Sequence, residues 1–238
     1  MKIKIYSNPK KDWAKALASE LAEFLTEAKH TIVRRGAQAT ICIGGDGTIL
    51  YANHKKRVEG TVLGIGSEKS YICQLTKDNY KEKILALLES ENKQKIMALE
   101  CEINGKRYIA LNDAVIHATH YRVAEMEVSV QGSENKASFE GDGMIISTAL
   151  GSAAYAFSAG GAKMAPTERK LSLVPISPYK RAFSPQVLSE DATVSISVGS
   201  DCAFIIDGIF VRRLKKGEVV HAKKGRDVMF FPGTGKSF

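Results

Sequence analysis

Across the first third of the chain, apolar positions follow two periods in turn. Ile3 to Tyr6 is a short β-prone run. From Asp12 to Lys29 the apolar residues Trp13, Ala16, Leu17, Leu21, Phe24 and Leu25 recur near the 3.6-residue period of a helix. Ala39 to Ile43 and Thr61 to Ile65 read as short strands. Asn79 to Glu89, apolar at Ile84, Leu85, Leu87 and Leu88, reads as another helix. Strands alternating with helices predict a parallel α/β sheet.

From about residue 96 the pattern changes to alternation. Met97 to Ile103 and Lys106 to Ala110 flank Asn104-Gly105, the strongest short hairpin signal. Met126, Val128 and Val130 alternate with polar neighbours, as do Val194, Ile196 and Val198. Gly132-Ser133-Glu134-Asn135 and Gly199-Ser200-Asp201 read as turns between such runs. Antiparallel strands with one buried face are predicted here, interrupted by one helix-like stretch from Ser152 to Ser158. The pattern thus divides the chain into an α/β domain over 1–93, a β-rich, sandwich-like domain over 94–222, and a tail over 223–238. The tail's apolar start, Val228, Met229, Phe230 and Phe231, suits a return to the first domain. A ligand site at the seam of two such domains is the usual expectation.

Composition narrows the class. The 238 residues suit one or two domains, and 44% hydrophobic with 25% charged is ordinary for a soluble globular protein. No apolar run approaches the roughly 20 residues of a spanning helix, and Lys2 and Lys4 inside the first strand argue against a signal peptide. A cytoplasmic protein without membrane partners is expected. The formal charge of +8 suits a nucleic acid or a phosphate-bearing small molecule, or serves solubility alone. The basic residues are spread out with no nucleic-acid-binding motif, so no nucleic acid partner is expected. Cys42, Cys73, Cys101 and Cys202 are widely spaced and read as free buried thiols. His117 and His120 follow a strand-like run, where i and i+3 do not share a face, so no metal site of the chain's own is expected.

Three segments carry chemistry. Gly44-Gly45-Asp46-Gly47-Thr48 follows a strand and precedes Ile49-Leu50-Tyr51-Ala52, which reads as a helix opening. Such a turn directs unpaired N–H groups outward, and its glycines let phosphate oxygens approach them. Asp46 is the exception, since a carboxylate repels phosphates. It suits a proton acceptor or magnesium ligand in phosphoryl transfer, or simply a helix cap. Gly141-Asp142-Gly143 through Ser147-Thr148, Ser152, Tyr155 and Gly160-Gly161 is crowded with small residues. It suits close approach of a flat ligand, with hydroxyls from Ser147, Thr148 and Ser152, or the tight packing of a short helix. Asn112-Asp113 suits a ribose or base edge, or a turn.

In that order the three segments resemble the NAD kinase family. Ile176-Ser177-Pro178 and Asp207-Gly208 also stand where that family has characteristic residues. The resemblance covers about residues 39 to 210 and implies an α/β amino-terminal domain joined to a β-rich carboxy-terminal one. It implies an enzyme that transfers a phosphoryl group from ATP or polyphosphate to the 2′-hydroxyl of the adenosine ribose of NAD. Asp46 would take the hydroxyl proton, and Gly44, Gly45, Gly47 and Thr48 would line the phosphates. Asn112, Asp113, Asp142, Ala153, Ala154, Tyr155, Ser158 and Ser177 would bind NAD. Magnesium or another divalent cation would accompany the donor, and a homo-oligomer, dimer or tetramer, would form. The first motif is shared with lipid kinases, which are one alternative. An NAD- or NADP-binding sensor with weak turnover is another, suggested by departures from the family pattern. Asp113 stands for Glu, Leu150 and Ala153 replace two threonines, Gly66 stands in a segment that usually carries Asn, and Glu140 stands where a basic residue is common. The two missing hydroxyls are expected to weaken dinucleotide binding.

Overall fold

The computed structural model describes residues 1–119, 122–132 and 136–233. Ser133, Glu134, Asn135 and His120, named above in a turn and a histidine pair, lie outside them, as do residues 234–238. The chain forms two compact units, Met1–Ile96 with Val228–Phe238 and Met97–Asp227.

In the first unit the order is β1 (Lys2–Ser7), α1 (Asp12–Glu27), β2 (Thr31–Ile32), β3 (Ala39–Ile43), α2 (Asp46–His54), β4 (Thr61–Gly66), β5 (Leu75–Thr76) and α3 (Tyr80–Glu89). These strands pair in parallel in the spatial order β2-β1-β3-β4-β5. Alternation along the central strands sorts their side chains between two covered faces. Ile3, Ile41, Ile43, Leu63 and Ile65 share one core with Leu17, Leu21 and Leu25 of α1 and Ile84 and Leu88 of α3. α2 lies over the opposite face. There Ile49 packs so close to Gly64 that an added Cβ would stand 2.7 Å from its Cδ1. Coverage of both faces explains why these strands read as continuous apolar runs.

The second unit contains β6 (Gln94–Ile103), β7 (Lys106–Ala110), β8 (Asp113–Ala118), β9 (Ala124–Val130), β10 (Lys136–Gly141) and β11 (Gly143–Thr148). A 3₁₀ turn (Leu150–Ala153) and α4 (Tyr155–Ser158) follow, then β12 (Lys170–Ile176), β13 (Gln186–Ser189), β14 (Val194–Val198), β15 (Cys202–Ile206), β16 (Ile209–Leu214) and β17 (Val219–Phe230). One sheet runs β13-β12-β11-β8-β15-β16, antiparallel throughout. β10, β9, β14 and β17 pair antiparallel in another, and β6 pairs with β7. Met126, Val128 and Ile196 of one sheet share a core with Ile116, Ile146, Leu173 and Phe204 of the other, so the unit is a sandwich. Asn104 and Gly105, at φ 50° and 76°, make the two-residue turn that the β6–β7 hairpin needs. An α/β unit with a parallel sheet and a β-rich antiparallel unit are therefore the observed fold class.

Candidate active site

The Gly-rich segment stands where β3 hands over to α2. Its turn is only Gly44-Gly45, at φ 140° and 97°, a region that L side chains rarely adopt. Close packing reinforces the choice, because a Cβ on Gly44 would lie 2.5 Å from Thr48 Oγ1. The helix starts at Asp46, three residues earlier than the apolar pattern places it. Asp46, Gly47 and Thr48 are thus its first turn, in which the Thr48 N–H donates to Gly45 O at 2.9 Å and the amides of Asp46 and Gly47 have no intrahelical partner.

Asp46 does not cap α2. Gly45 is the N-cap residue, and the Asp46 carboxylate reaches to another loop. Its Oδ2 accepts the Tyr71 N–H at 2.7 Å and its Oδ1 accepts the Ile72 N–H at 2.9 Å. Two backbone donors fix the carboxylate, and each oxygen keeps a lone pair for another partner. Below it, burial pushes the Cys73 thiol well above its usual range, with the Asp46 charge adding to the effect. That cysteine is inert packing.

A cleft of about 360 Å³ opens over this turn. Besides Gly44, Gly45, Asp46, Gly47 and Thr48 it is lined by Asn8 and by Lys11, Lys69 and Lys77. Lys11 Nζ donates to Gly44 O at 2.6 Å. Asp46 is the single carboxylate among the lining residues. Motif reading missed these lysines. The signal was Asn8-Pro9-Lys10-Lys11 directly after β1, since β1 and β3 are parallel neighbours and their following loops emerge at one edge. Ligands bind at that carboxyl edge, where successive connections take opposite faces.

In the second unit the anchor is Asp207, in the β15–β16 turn. Its buried carboxylate accepts the backbone N–H groups of Leu111, Asn112 and Asp113 at 2.9, 2.7 and 3.2 Å. Burial nevertheless pushes its pKa up to about 6. Asp113 is 5% exposed, and burial, followed by the Asp207 charge, raises it to about 7. Asn112 Oδ1 is buried without a hydrogen-bond partner. Gly151 lies against this segment so closely that a Cβ there would stand 2.2 Å from Asn112 O.

The hydroxyls of Ser147, Thr148 and Ser152, read from the sequence as ligand contacts, are instead internal. Thr148 Oγ1 donates to Leu111 O at 2.6 Å and accepts from Gly151 N–H at 3.1 Å. Ser152 Oγ donates to Ala149 O and accepts from Met164 N–H. Leu150 is also buried, at 2% exposure, so its lack of a hydroxyl removes no contact from an open surface. Ala153 is half-buried, whereas Ala154, Tyr155 and Ser158 are exposed. Asp142 is half-buried between β10 and β11, and Ser177 is exposed after β12 with φ 46°. Tyr155 has its pKa raised by burial and then by Asp113 and Asp142, which places the three in one electrostatic neighbourhood.

Of two other departures, that at Gly66 has a local explanation and that at Glu140 has none in the structure. A Cβ at Gly66 would stand 2.2 Å from Ser70 Oγ, so this loop has no room for a side chain there. Glu140 is exposed on β10, opposite Glu125 of β9. Among the described residues no group of three or more His, Cys, Asp or Glu side chains could hold a metal ion. No described helix is long and apolar enough to cross a membrane.

Residues 111–231 match the family model of the ATP-NAD kinase C-terminal domain. The chain is 30% identical to an NAD kinase of Thermoplasma acidophilum, over 91% of this chain and 81% of that one. It is 30% identical to an NAD kinase of Chlorobium limicola, over 96% and 90%. Among solved structures, yeast NADH kinase complexed with NADH has a TM-score of 0.89 at 17% identity, over 99% of this chain and 84% of that one. An NAD kinase from Archaeoglobus fulgidus in complex with ATP has a TM-score of 0.85 at 21% identity, over 100% and 96%.

Proposed function

The chain belongs to the NAD kinase family, and on that premise we propose that it transfers a phosphoryl group from ATP or polyphosphate to the 2′-hydroxyl of the adenosine ribose of NAD, giving NADP. The observation that carries this reading is the Gly44-Gly45 cleft, where three lysines and the first amides of α2 surround a single fixed carboxylate. Phosphoryl transfer asks the protein mainly for positioning and charge neutralisation. Lys11, Lys69 and Lys77 neutralise donor phosphates along the turn that Gly44, Gly45, Gly47 and Thr48 line, where the Asp46 and Gly47 amides are left to hold phosphate oxygens. Asp46, oriented by Tyr71 and Ile72, takes the proton of the attacking hydroxyl.

Asn112, Asp113, Asp142, Ala153, Ala154, Tyr155, Ser158 and Ser177 hold the dinucleotide. Asn112 Oδ1 supports this assignment, because a buried acceptor without a partner is rare and a ligand donor satisfies it. Magnesium fits as a donor-borne ion, since it keeps several waters and binds through one or two carboxylates plus phosphates. Carried by the donor's phosphates and water, the ion would supply charge neutralisation on the transferring group and leave Asp46 free as the proton acceptor. Four buried free thiols suit a reducing cytoplasm. A homo-oligomer, dimer or tetramer, is the assembly that the family resemblance implies.

The test is direct. Purified protein is incubated with NAD, magnesium and either ATP or polyphosphate, and NADP is measured with an NADP-specific dehydrogenase. NADP from the wild type, reduced by orders of magnitude in Asp46→Asn with donor affinity retained, is the expected result. NAD bound with no NADP from either donor would make the chain a dinucleotide-binding protein on a kinase fold.

A further inference from the structure

The loop that grips Asp46, Ser67 to Gln74, runs between β4 and β5. It lies against β4 because that strand carries glycine at two positions on one face. A Cβ at Gly64 or at Gly66 would stand 2.9 Å from Cys73 Sγ. Packing of this kind sets how near the loop comes, not which way its peptides point. Gln74, 5% exposed, sets the direction. Its Oε1 accepts the Gly64 N–H at 2.7 Å, and its Nε2 donates to Ile72 O at 3.0 Å. Ile72 is therefore held on both sides, with its N–H on Asp46 Oδ1 at 2.9 Å and its carbonyl on Gln74. Gly64 stands beside Cys42 of β3, the strand that leads to Asp46. One buried amide thus ties the loop that holds the carboxylate to the strand next to the one that carries it.

We propose that Gln74 is a positioning residue for the phosphoryl transfer, fixing through its side-chain amide the Tyr71-Ile72 backbone that aims the Asp46 carboxylate. The inference rests on the kinase reading of the cleft and adds to it the group that orients its base. Gln74 is not among the residues that line the cleft, so it acts through the loop and touches no substrate there. A carboxylate held by two backbone amides goes where those amides go. A displacement of about 1 Å at a reacting group costs on the order of 10²-fold in rate. Loss of the Gln74 bonds therefore falls on turnover, whereas the lysines and glycines that bind the donor keep their places.

NADP formation from NAD, magnesium and either ATP or polyphosphate is measured for the wild type, Gln74→Met and Gln74→Glu, with thermal melting at each pH to verify the fold. Gln74→Met keeps the length of the side chain and removes both bonds. Its kcat should fall roughly tenfold or more, with KM for NAD and for the donor unchanged. Gln74→Glu keeps the acceptor for Gly64 and regains the donor for Ile72 when protonated, a form that burial favours to higher pH. Its kcat relative to the wild type should therefore be near one at about pH 6 and fall roughly tenfold by about pH 9, while the ratio for Gln74→Met stays low and flat. This rescue decides the matter even where Gln74→Met fails to fold. An unchanged kcat in folded Gln74→Met, a loss confined to KM, or a flat ratio for Gln74→Glu overturns the positioning role and leaves the kinase reading intact. A wild type that forms no NADP from either donor overturns both.

Discussion

Replacing Asp113 by Asn is expected to flatten the pH dependence of stability. Asp113 heads β8 at 5% exposure, and burial, with the charge of Asp207 behind it, raises its pKa from 3.8 to about 7. Between those values the native protein holds a proton that the unfolded chain has lost. Stability therefore falls as the pH rises through this window and levels off above about 7. A gap of ~3 pH units at ~1.4 kcal/mol each puts the contribution of Asp113 at ~4 kcal/mol. In a chain of this size 1 kcal/mol moves Tm by about 2–4 °C, so the whole window spans roughly 10 °C. Melting curves of the wild type and Asp113→Asn are recorded in half-unit steps from about pH 4.5 to about pH 8, and their difference cancels the groups that do not interact with Asp113, leaving the coupled Asp113–Asp207 pair. The variant should gain on the wild type by roughly 10 °C as the pH rises to about 7, then hold steady. Parallel Tm profiles would refute a buried, proton-holding carboxyl at this position.

Two substitutions test the small-residue stretch. Gly151→Ala would push a Cβ to 2.2 Å from Asn112 O, costing about 1–3 kcal/mol and shifting the orphaned Asn112 amide. Denaturant unfolding and an NAD titration should show lower stability and weaker binding together, and an unchanged pair would mean that the two segments are not coupled. Leu150→Thr restores the residue usual in the family but places a hydroxyl where Leu150 is 2% exposed. The variant should lose about 2 kcal/mol of stability with no gain in NAD affinity, whereas tighter NAD binding would show that this side chain reaches the ligand.

The regular elements were legible where burial imposes a period. Ala39–Ile43 forms a strand over the same residues as its β-prone run, because both of its faces are covered. The start of α2 was not legible in the same way. Asp46 and Gly47 carry no apolar signal, and the helix opens there because Gly45 supplies the φ of 97° that the turn requires. The stretch from Ser152 to Ser158 read as one helix. It is a 3₁₀ turn and a single α turn broken at Ala154, whose ψ of −122° no hydrophobic pattern reports. Nor does a list of residue types reveal which way a hydroxyl points. Ser147, Thr148 and Ser152 are spent on backbone groups that a strand-to-turn transition would otherwise leave buried and unpaired.

The lysine-lined cleft shows how topology supplies what motif matching lacks. Lys11, Lys69 and Lys77 are distant in sequence from Asp46 and belong to no shared motif. β1, β3 and β4 are parallel and adjacent, with Ser7 beside Ile43 and Ile43 beside Ile65. Parallel pairing in that register brings the segments after all three strands to one edge. Asn8 N–H then donates to Ile43 O at 2.8 Å and Gly44 N–H to Ile65 O at 2.9 Å, which locks the three exits together. From β1 the chain passes to α1 on one face, and from β3 to α2 on the other. The resulting crevice is where an open α/β sheet binds its ligand. The Gly-rich turn alone supplies amides and a carboxylate. The register of the sheet brings the cations that make the turn attractive to phosphate, so the donor site follows from the strand order as much as from the motif.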